Sequence, residues 1–376
     1  MATSKEKREM AGPENMSFSD LAGWRDHDHK AAFAAFCHAA RYLLKNPPTT
    51  RSGSARAEDL LAIGKQALLL GEALDQTQAR CFFETYFHPE AVADEGLLTG
   101  YFEPIFEGRL ERDSCFRFPL HKRPDDLVPL TETEALKAGF TAETSFARKS
   151  AHSYQFHYSR AEVMAGALDD KHLELVWLKD PFEAYIIHIQ GSATIDLGQG
   201  RRLPIVFDGK SGHPYRSLGK LLIEQGVFSA ETITMDGLIA HLKALGADGC
   251  RILGENPSYI YFKAVEDEAP EAGDFGPRAA ARVPLIPMRS IAVDRHLHTF
   301  GLPFWLETTL PDASGEDKPF KQMVFAHDTG SAIKGAARGD LFVGTGTEAG
   351  ATAGKLQQVT TFICLMPNRL QLAVDE

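Results

Sequence analysis

Apolar residues recur at helical spacing through the first ninety residues of the chain. Repeats of three and four positions predict helices over Asp28–Leu44, Ala55–Leu70 and Gln76–Phe87. Pro47 and Pro48 separate the first two segments, because proline interrupts a helix. The chain is therefore predicted to open with three helices.

After residue 96 the pattern changes to short runs rich in β-branched and aromatic residues, split by Gly, Pro and Asp turns. This texture is typical of a mainly β fold. Two helices are predicted among the strands, over Tyr215–Glu224 and Met235–Leu245. The predicted strands are Tyr101–Phe106, Glu174–Leu178, Ala184–Gln190, Tyr259–Lys263 and Met323–Ala326.

The segment 264–282 is the clearest candidate for an internal linker. Acidic residues, prolines and glycines crowd into it, and such a composition buries little apolar surface. No repeat of solenoid length is present in the sequence.

Composition adds bounds on size and on partners. The 376 residues, 44% of them apolar, suit a globular protein of two domains. The formal net charge of -11 argues against nucleic-acid binding, which needs a basic face. Five scattered cysteines without CxxC spacing indicate neither a disulfide framework nor a zinc site. We expect no metal and no cofactor.

Neither a secretory signal nor a transmembrane segment is seen in the sequence. The first ten residues are charged and contain no apolar core, and no run approaches the ~18 apolar residues of a membrane helix. Taken alone, these features favour a soluble cytoplasmic protein.

Two aspartates twelve positions apart, Asp328 and Asp340, lie in a stretch with five glycines, residues 325–346. Glycines at this density let the backbone pass close to a ligand. A carboxylate held in such a framework suits acid/base chemistry, although both aspartates could equally be ordinary turn or cap residues. The Asp-Thr-Gly-Ser run here also resembles an aspartic protease signature, but the second copy which that chemistry needs is absent from the sequence.

Two further patches, Leu97–Pro104 and Ile187–Ala193, place small polar residues beside glycine at a predicted strand edge. Sugar hydroxyls need directional donors and acceptors together with a flat apolar face. Thr99, Tyr101, Gln190 and Ser192 have that chemistry and are the candidate substrate contacts. Glu103 could be a second carboxylate or have a structural role.

These motifs together resemble the membrane-bound lytic murein transglycosylase A family, whose carboxy-terminal "3D" domain is named for three aspartates. By this resemblance the three are Asp294, Asp328 and Asp340. The matching stretches are LLTGYFEP (97–104), KDPFEAYIIHIQGSATI (179–195), GHPYRSLGKLLIEQG (212–226), NPSYIYF (256–262), RSIAVD (289–294) and HDTGSAIKGAARGDLFVGTGTEAG (327–350).

The resemblance implies a mainly β fold with helices. A double-psi β-barrel would be assembled from residues 1–103 and 256–376, with a smaller β-rich domain, 104–255, inserted. The substrate would lie in a cleft between the two.

The resemblance also implies the activity, that of a peptidoglycan lytic exotransglycosylase acting without water. Asp340 would be the single acid/base that cleaves the β-1,4 bond between N-acetylmuramic acid and N-acetylglucosamine. The product would be a 1,6-anhydromuramoyl end. Asp328 would support it, Asp294 would be structural, and Lys334 could be a solvated turn residue or a carboxylate's partner.

Two alternatives stay open at this point. A hydrolase of the same bond would use water and two carboxylates, Asp340 with Asp328 or Glu103. A glycan-binding module would show no turnover. The expected partners are peptidoglycan glycan strands, with possible wall-remodelling proteins, and the expected place is the periplasm or cell envelope. The family is named for attachment through a lipidated amino-terminal cysteine, and this sequence departs from that pattern because its first cysteine, Cys37, lies inside a predicted helix.

Overall fold

The computed structural model describes residues 16–71, 73–151, 153–229, 232–265, 276–311 and 316–368. Helices and strands in these ranges are numbered in chain order. The helices are α1 (His29–Lys45), α2 (Ala57–Leu70), α3 (Gln76–Tyr86), α4 (Glu132–Lys137), α5 (Arg160–Met164), α6 (Pro181–Gln190), α7 (Leu218–Glu224), α8 (Met235–Ala244), α9 (Ala247–Leu253) and α10 (Thr347–Ala353). The strands are β1 (Phe87–Glu103), β2 (Ile105–Arg109), β3 (Phe118–His121), β4 (Leu127–Pro129), β5 (Phe146–Lys149), β6 (Tyr154–Gln155), β7 (Glu174–Leu178), β8 (Ser192–Gly198), β9 (Arg201–Lys210), β10 (Ile260–Ala264), β11 (Ser290–Val293), β12 (Pro303–Pro311), β13 (Asp317–Asp328), β14 (Arg338–Thr345) and β15 (Gln357–Pro367).

The three opening helices are confirmed to within two residues at each end. The Asp28 carboxylate caps α1 by accepting a hydrogen bond from the Ala31 N–H, at 2.9 Å. Asp75 caps α3 in the same way, from Gln78 N–H at 2.8 Å. The ring of Phe36 on the buried face of α1 lies 6.0 Å from that of Phe325 in β13, so the helix packs on a strand.

The chain divides into two compact units, and the first contains a closed barrel. This unit comprises the residues up to Thr99, Ala279–Phe342 and the residues from Leu356 onwards. The barrel has six strands in the order β1, β14, β11, β13, β12, β15. β11 runs parallel to β13, whereas β1 and β12 each run antiparallel to β15. The barrel predicted for this part of the chain is therefore present, and its double-psi topology stays a prediction.

Two glycines allow β1 and β14 to pass a buried aromatic ring inside the barrel. A Cβ atom at Gly96 of β1 would lie 2.5 Å from the Phe362 ring and 2.5 Å from the Ala337 carbonyl oxygen. A Cβ atom at Gly339 of β14 would lie 3.0 Å from the same ring and 2.5 Å from Ile291. Because the backbone at Ala337 cannot give way easily, only glycine fits at position 96, whereas a side chain at position 339 would have to displace the end of the Ile291 side chain. The two glycines lie three residues before Thr99 and one before Asp340.

The second unit, Gly100–Arg278 with Val343–Lys355, is built on two sheets. One has six strands in the order β10, β9, β8, β2, β7, β3, and the other has β4, β5 and β6. The larger sheet buries an aliphatic core that includes Val176, Ile195 and Ile205. This unit therefore combines two β-sheets with the helices α4 to α10.

The predicted strand Ala184–Gln190 is wrong, because these residues form the last seven residues of α6. Asp180 caps this helix by accepting the Phe182 N–H at 2.8 Å, and Pro181 occupies its first position. Gly191 ends it with φ +80°. The helix packs against apolar clusters on two sides, so apolar residues occur all round it and show no clear period that would separate a helix from a strand.

The remaining predicted elements hold with small changes. Helices α7 and α8, and the strands at 174–178 and 259–263, are present within three residues of the predicted bounds, and the strand predicted at 323–326 is part of the longer β13. The strand predicted over Tyr101–Phe106 is interrupted at Pro104, where β1 ends and β2 begins, since proline has no N–H for the ladder. Of the candidate linker, residues 266–275 lie outside the described residues.

The division into 1–103, 104–255 and 256–376 stays a prediction. The second compact unit also includes 256–278 and 343–355.

Candidate active site

Asp340 lies on β14 of the barrel, and the backbone before it is held from several directions. The Leu97 N–H donates to the Ala337 carbonyl at 2.9 Å, which ties this segment to β1. His298 contacts the Ala336 carbonyl through Nε2 at 2.8 Å. Asp294 accepts the Gly335 N–H at 3.0 Å. The segment leading into Asp340 is therefore fixed almost residue by residue.

The Asp340 carboxylate has one side-chain hydrogen bond in the described part of the chain. The Thr99 hydroxyl of β1 donates to Asp340 Oδ1. The same hydroxyl oxygen accepts a hydrogen bond from Arg338 Nη2 at 2.8 Å. Arg338, Thr99 and Asp340 thus form a chain of hydrogen bonds across two neighbouring barrel strands.

The environment of Asp340 raises its pKa to about 6, from an ordinary value of 3.8. Burial of the carboxyl group is the largest cause, because a low-dielectric setting disfavours the charged form. Other atoms of the residue remain partly exposed. The Thr99 hydrogen bond and the Arg338 charge oppose the rise, and the negative charge of Asp328 adds to it. Such a carboxyl group can hold a proton near neutral pH and then release it.

This raised pKa carries a stability cost that appears as pH rises. Between pH 4 and 6 the folded state binds more protons at Asp340 than the unfolded state, so stability falls as pH increases and the cost is complete above pH 6. We expect Asp340→Asn to stabilise the protein at pH 8 by about 2 kcal/mol, allowing for partial solvent access, and to change little at pH 4. Urea unfolding of both proteins at the two pH values measures this. An equal effect at both would contradict the prediction.

Asp328 is the last residue of β13, and β11 lies between this strand and the β14 strand of Asp340. Ala292 of β11 pairs with Asp328 on one side and with Asp340 on the other. Two strand spacings, roughly 10 Å, therefore separate the two aspartate backbones. One oxygen of Asp328 accepts the Ala280 N–H at 3.0 Å. This placement explains why its charge is the smallest of the contributions to the pKa of Asp340.

Asp294 is buried and holds the backbone of its surroundings. It accepts the N–H groups of His296 and Gly335, both at 3.0 Å. Burial alone would raise its pKa, but these two bonds and the Lys334 charge outweigh it, so the pKa lies below its ordinary value. Lys334 is thus an exposed residue, and its positive charge helps to lower the pKa of Asp294.

We expect Asp294→Ala to destabilise the protein by about 2 kcal/mol, because two N–H groups lose their acceptor. The segment before Asp340 would loosen, so kcat should fall severalfold without a change in the pH at which activity is lost. Asp294→Asn keeps one acceptor oxygen and should lose less stability. Urea unfolding and pH–rate profiles of both variants check this, and a shifted pH dependence would argue against a purely structural role.

The other three candidate contacts belong to the second unit. Tyr101 is buried and lies two residues beyond Thr99 on β1. Gln190 is the last residue of α6, and its Oε1 accepts the Phe102 N–H at 3.1 Å. Ser192 is buried at the start of β8. Gln190 and Tyr101 are therefore linked through the backbone of β1, and the Gln190 amide group keeps its NH₂ as a donor.

Glu103 is buried with both carboxylate oxygens engaged. Thr194 donates to Oε1 at 3.1 Å and Thr345 to Oε2 at 2.9 Å. Burial raises its pKa, while the two hydroxyl hydrogen bonds lower it. The contacts favour the structural role over that of a second carboxylate.

Arg338 was missed in the sequence, although a signal for it exists. Alternate residues of a strand face the same side, so a strand containing Asp340 places Arg338 beside it.

Among the described residues no group of three or more His, Cys, Asp or Glu side chains could hold a metal ion. Within the same residues no helix is both long and apolar enough to cross a membrane.

Comparison with known proteins finds the same two-part composition. Residues 97–263 match the family described as MltA specific insert domain, and residues 289–366 match the 3D domain. Membrane-bound lytic murein transglycosylase A of Escherichia coli strain K12 is 32% identical over 261 residues, covering 68% of this chain and 61% of that protein. The chain thus matches less than two thirds of that relative's length.

Solved structures match over nearly the whole chain. A membrane-bound lytic murein transglycosylase from Agrobacterium tumefaciens has a TM-score of 0.83 and 32% identity, covering 95% of this chain and 98% of that one. MltA of E. coli with bound chitohexaose has a TM-score of 0.64 and 25% identity, covering 90% and 89%.

Proposed function

The chain belongs to the membrane-bound lytic murein transglycosylase A family, and from this premise we propose that it cleaves peptidoglycan glycan strands as a lytic transglycosylase. The observation that carries the proposal is Asp340, an aspartic acid with its pKa raised to about 6 on a barrel strand. Such a group can act as an acid and then as a base in one turnover. The E. coli relative with bound chitohexaose supports a glycan as the ligand.

Protonated Asp340 donates its proton to the glycosidic oxygen between N-acetylmuramic acid and N-acetylglucosamine, and the bond from C1 to that oxygen breaks. The resulting carboxylate takes the proton of the muramoyl C6 hydroxyl, whose oxygen bonds to C1. Asp340 is thereby protonated again, and no water is consumed. Because the nucleophile belongs to the substrate, proximity replaces an activated water.

The other candidate residues have supporting roles in this proposal. Asp328 keeps the pKa of Asp340 high through its charge. Tyr101, Gln190 and Ser192 contact the sugar, with the Gln190 NH₂ as a donor to a hydroxyl or acetamido oxygen. Thr99 acts on Asp340 directly and therefore contributes as its hydrogen-bond donor. The place of action is the cell envelope, where peptidoglycan is found.

The hydrolase alternative is less well supported. It needs a second carboxylate that activates a water molecule. Both oxygens of Glu103 already accept hydrogen bonds, from Thr194 and Thr345. One oxygen of Asp328 accepts the Ala280 N–H.

The test is the mass of the products released from purified peptidoglycan sacculi. Muropeptides one water lighter than hydrolysed ones, with 1,6-anhydromuramoyl ends, are expected. Fully hydrated ends would mean a hydrolase, and the absence of any released fragment would favour a glycan-binding module. Glu103→Gln is a matched variant that should change the amount of product without changing its mass.

A further inference from the structure

We propose that Arg338 is a positioning residue for the acid/base, which orients the Thr99 hydroxyl toward Asp340 Oδ1 and so leaves Oδ2 to carry the transferred proton. This inference rests on the proposed function, since it assigns the acid to one oxygen of Asp340. It also adds a residue that the three aspartates of the motif do not include.

The direction of the hydrogen bonds follows from the chemistry of the three groups. A guanidinium group has only donors, so the contact of Arg338 Nη2 with Thr99 Oγ1 at 2.8 Å must use a lone pair of the hydroxyl oxygen. The Thr99 hydroxyl has one proton and two lone pairs, and with one lone pair taken by Arg338 it donates its proton in a hydrogen bond to Asp340 Oδ1. Oδ1 is an acceptor in this arrangement, whether or not Asp340 carries a proton. The acidic proton must therefore reside on Oδ2.

Without Arg338 the hydroxyl would lose this direction. A threonine hydroxyl can rotate, and it can accept a hydrogen bond from a protonated carboxyl as readily as donate one to it. Oδ1 could then carry the proton and direct it in a hydrogen bond to Thr99 rather than to the substrate. Arg338 disfavours that state, because its N–H already occupies one of the two lone pairs of the hydroxyl oxygen and its positive charge repels a second donor.

The charge of Arg338 acts on Asp340 as well. The charged groups that influence the Asp340 carboxyl are Arg338 from its own strand and Asp328 from β13, while β1 contributes the neutral Thr99 and β11 the neutral Ala292. The Arg338 cation lowers the pKa of Asp340 and the Asp328 anion raises it. Removing the cation should therefore raise the pKa of the acid.

Arg338 also joins the two strands mechanically, so a test must separate positioning from folding. Its Nη1 donates to the Leu97 carbonyl at 3.4 Å and to the Gly339 carbonyl. Loss of stability in Arg338→Met would not by itself speak for or against the proposal.

The decisive experiment is a double-mutant cycle with Arg338→Met and Thr99→Val, measuring the rate of anhydromuropeptide release. If Arg338 acts through Thr99, Arg338→Met should lower kcat about tenfold in the natural background and less than about twofold in the Thr99→Val background. Arg338→Lys keeps a charge and a donor and should recover part of the rate. Equal losses in both backgrounds would overturn the proposal.

A second readout does not depend on turnover. The ¹³C signal of the Asp340 carboxyl, followed against pH by NMR, should titrate at a higher pH in Arg338→Met than in the natural protein. Lys355→Met removes an exposed positive charge elsewhere and should leave the titration unchanged. An unshifted Asp340 titration in Arg338→Met would contradict the role of Arg338. If instead the natural protein releases no anhydro product, the proposed function fails, and the titration still tests the contact.

Discussion

Replacing Asp340 with asparagine is expected to lower kcat for anhydromuropeptide release by about 10³-fold. Asparagine neither donates nor takes the proton that moves in both halves of the reaction, and general acid–base groups contribute about 10²–10⁴-fold. Its side-chain oxygen can still accept the Thr99 hydrogen bond, so the local structure should be kept. Initial rates on sacculi, with KM from soluble glycan fragments, separate lost chemistry from lost binding.

Asp328→Asn is the matched control, since it changes an aspartate in the same row of the barrel. Because Asp328 influences Asp340 only through charge in this mechanism, its loss should reduce kcat about tenfold or less. A larger effect of Asp328→Asn than of Asp340→Asn would reverse the two roles. Activity of Asp340→Asn above a tenth of the natural value would rule out the single-acid mechanism.

Helices whose ends and buried face are marked by nearby residues could be predicted from the sequence. Helices α1 and α3 begin at aspartate caps and bury one face, so periodicity and capping agree there. Helix α6 could not be predicted by periodicity because it is buried on two sides. Its Asp180, Pro181 and Gly191 were signals of its ends, and they outweigh an apolar run of ambiguous period.

The candidate site was predicted only where its signal is local in the sequence. The glycine-rich frame drew attention to Asp340, and in the structure a Cβ atom at the preceding Gly339 would lie 3.0 Å from the Phe362 ring. The pairing of Thr99 with Asp340 could not be read from the chain, because 241 positions separate the two residues. Only closure of the barrel, which makes β1 and β14 neighbours, brings them together. The roles of Glu103 and Gln190 likewise depend on partners that are distant in sequence.

The pH dependence of kcat/KM gives the second large effect that we expect. The free enzyme must hold a proton on Asp340 before it meets substrate, so kcat/KM should be constant below pH 6 and fall tenfold per unit above it. At pH 8 only about 1% of the molecules would carry the proton, which corresponds to a loss of roughly 10²-fold. Rates on soluble glycan fragments between pH 4.5 and 8.5 measure this profile.

Two variants should shift the pH profile of kcat/KM in opposite directions, and these shifts test the physical causes of the raised pKa of Asp340. Asp328→Asn removes a negative charge that favours the protonated acid, so the loss of activity should begin at lower pH. Thr99→Val removes a hydrogen bond that favours the carboxylate, so the loss should begin at higher pH. Because the two variants shift the fall of kcat/KM at high pH in opposite directions, a general loss of stability cannot produce the same result. A profile that stays flat to pH 8 in the natural protein would exclude Asp340 as the group that must be protonated.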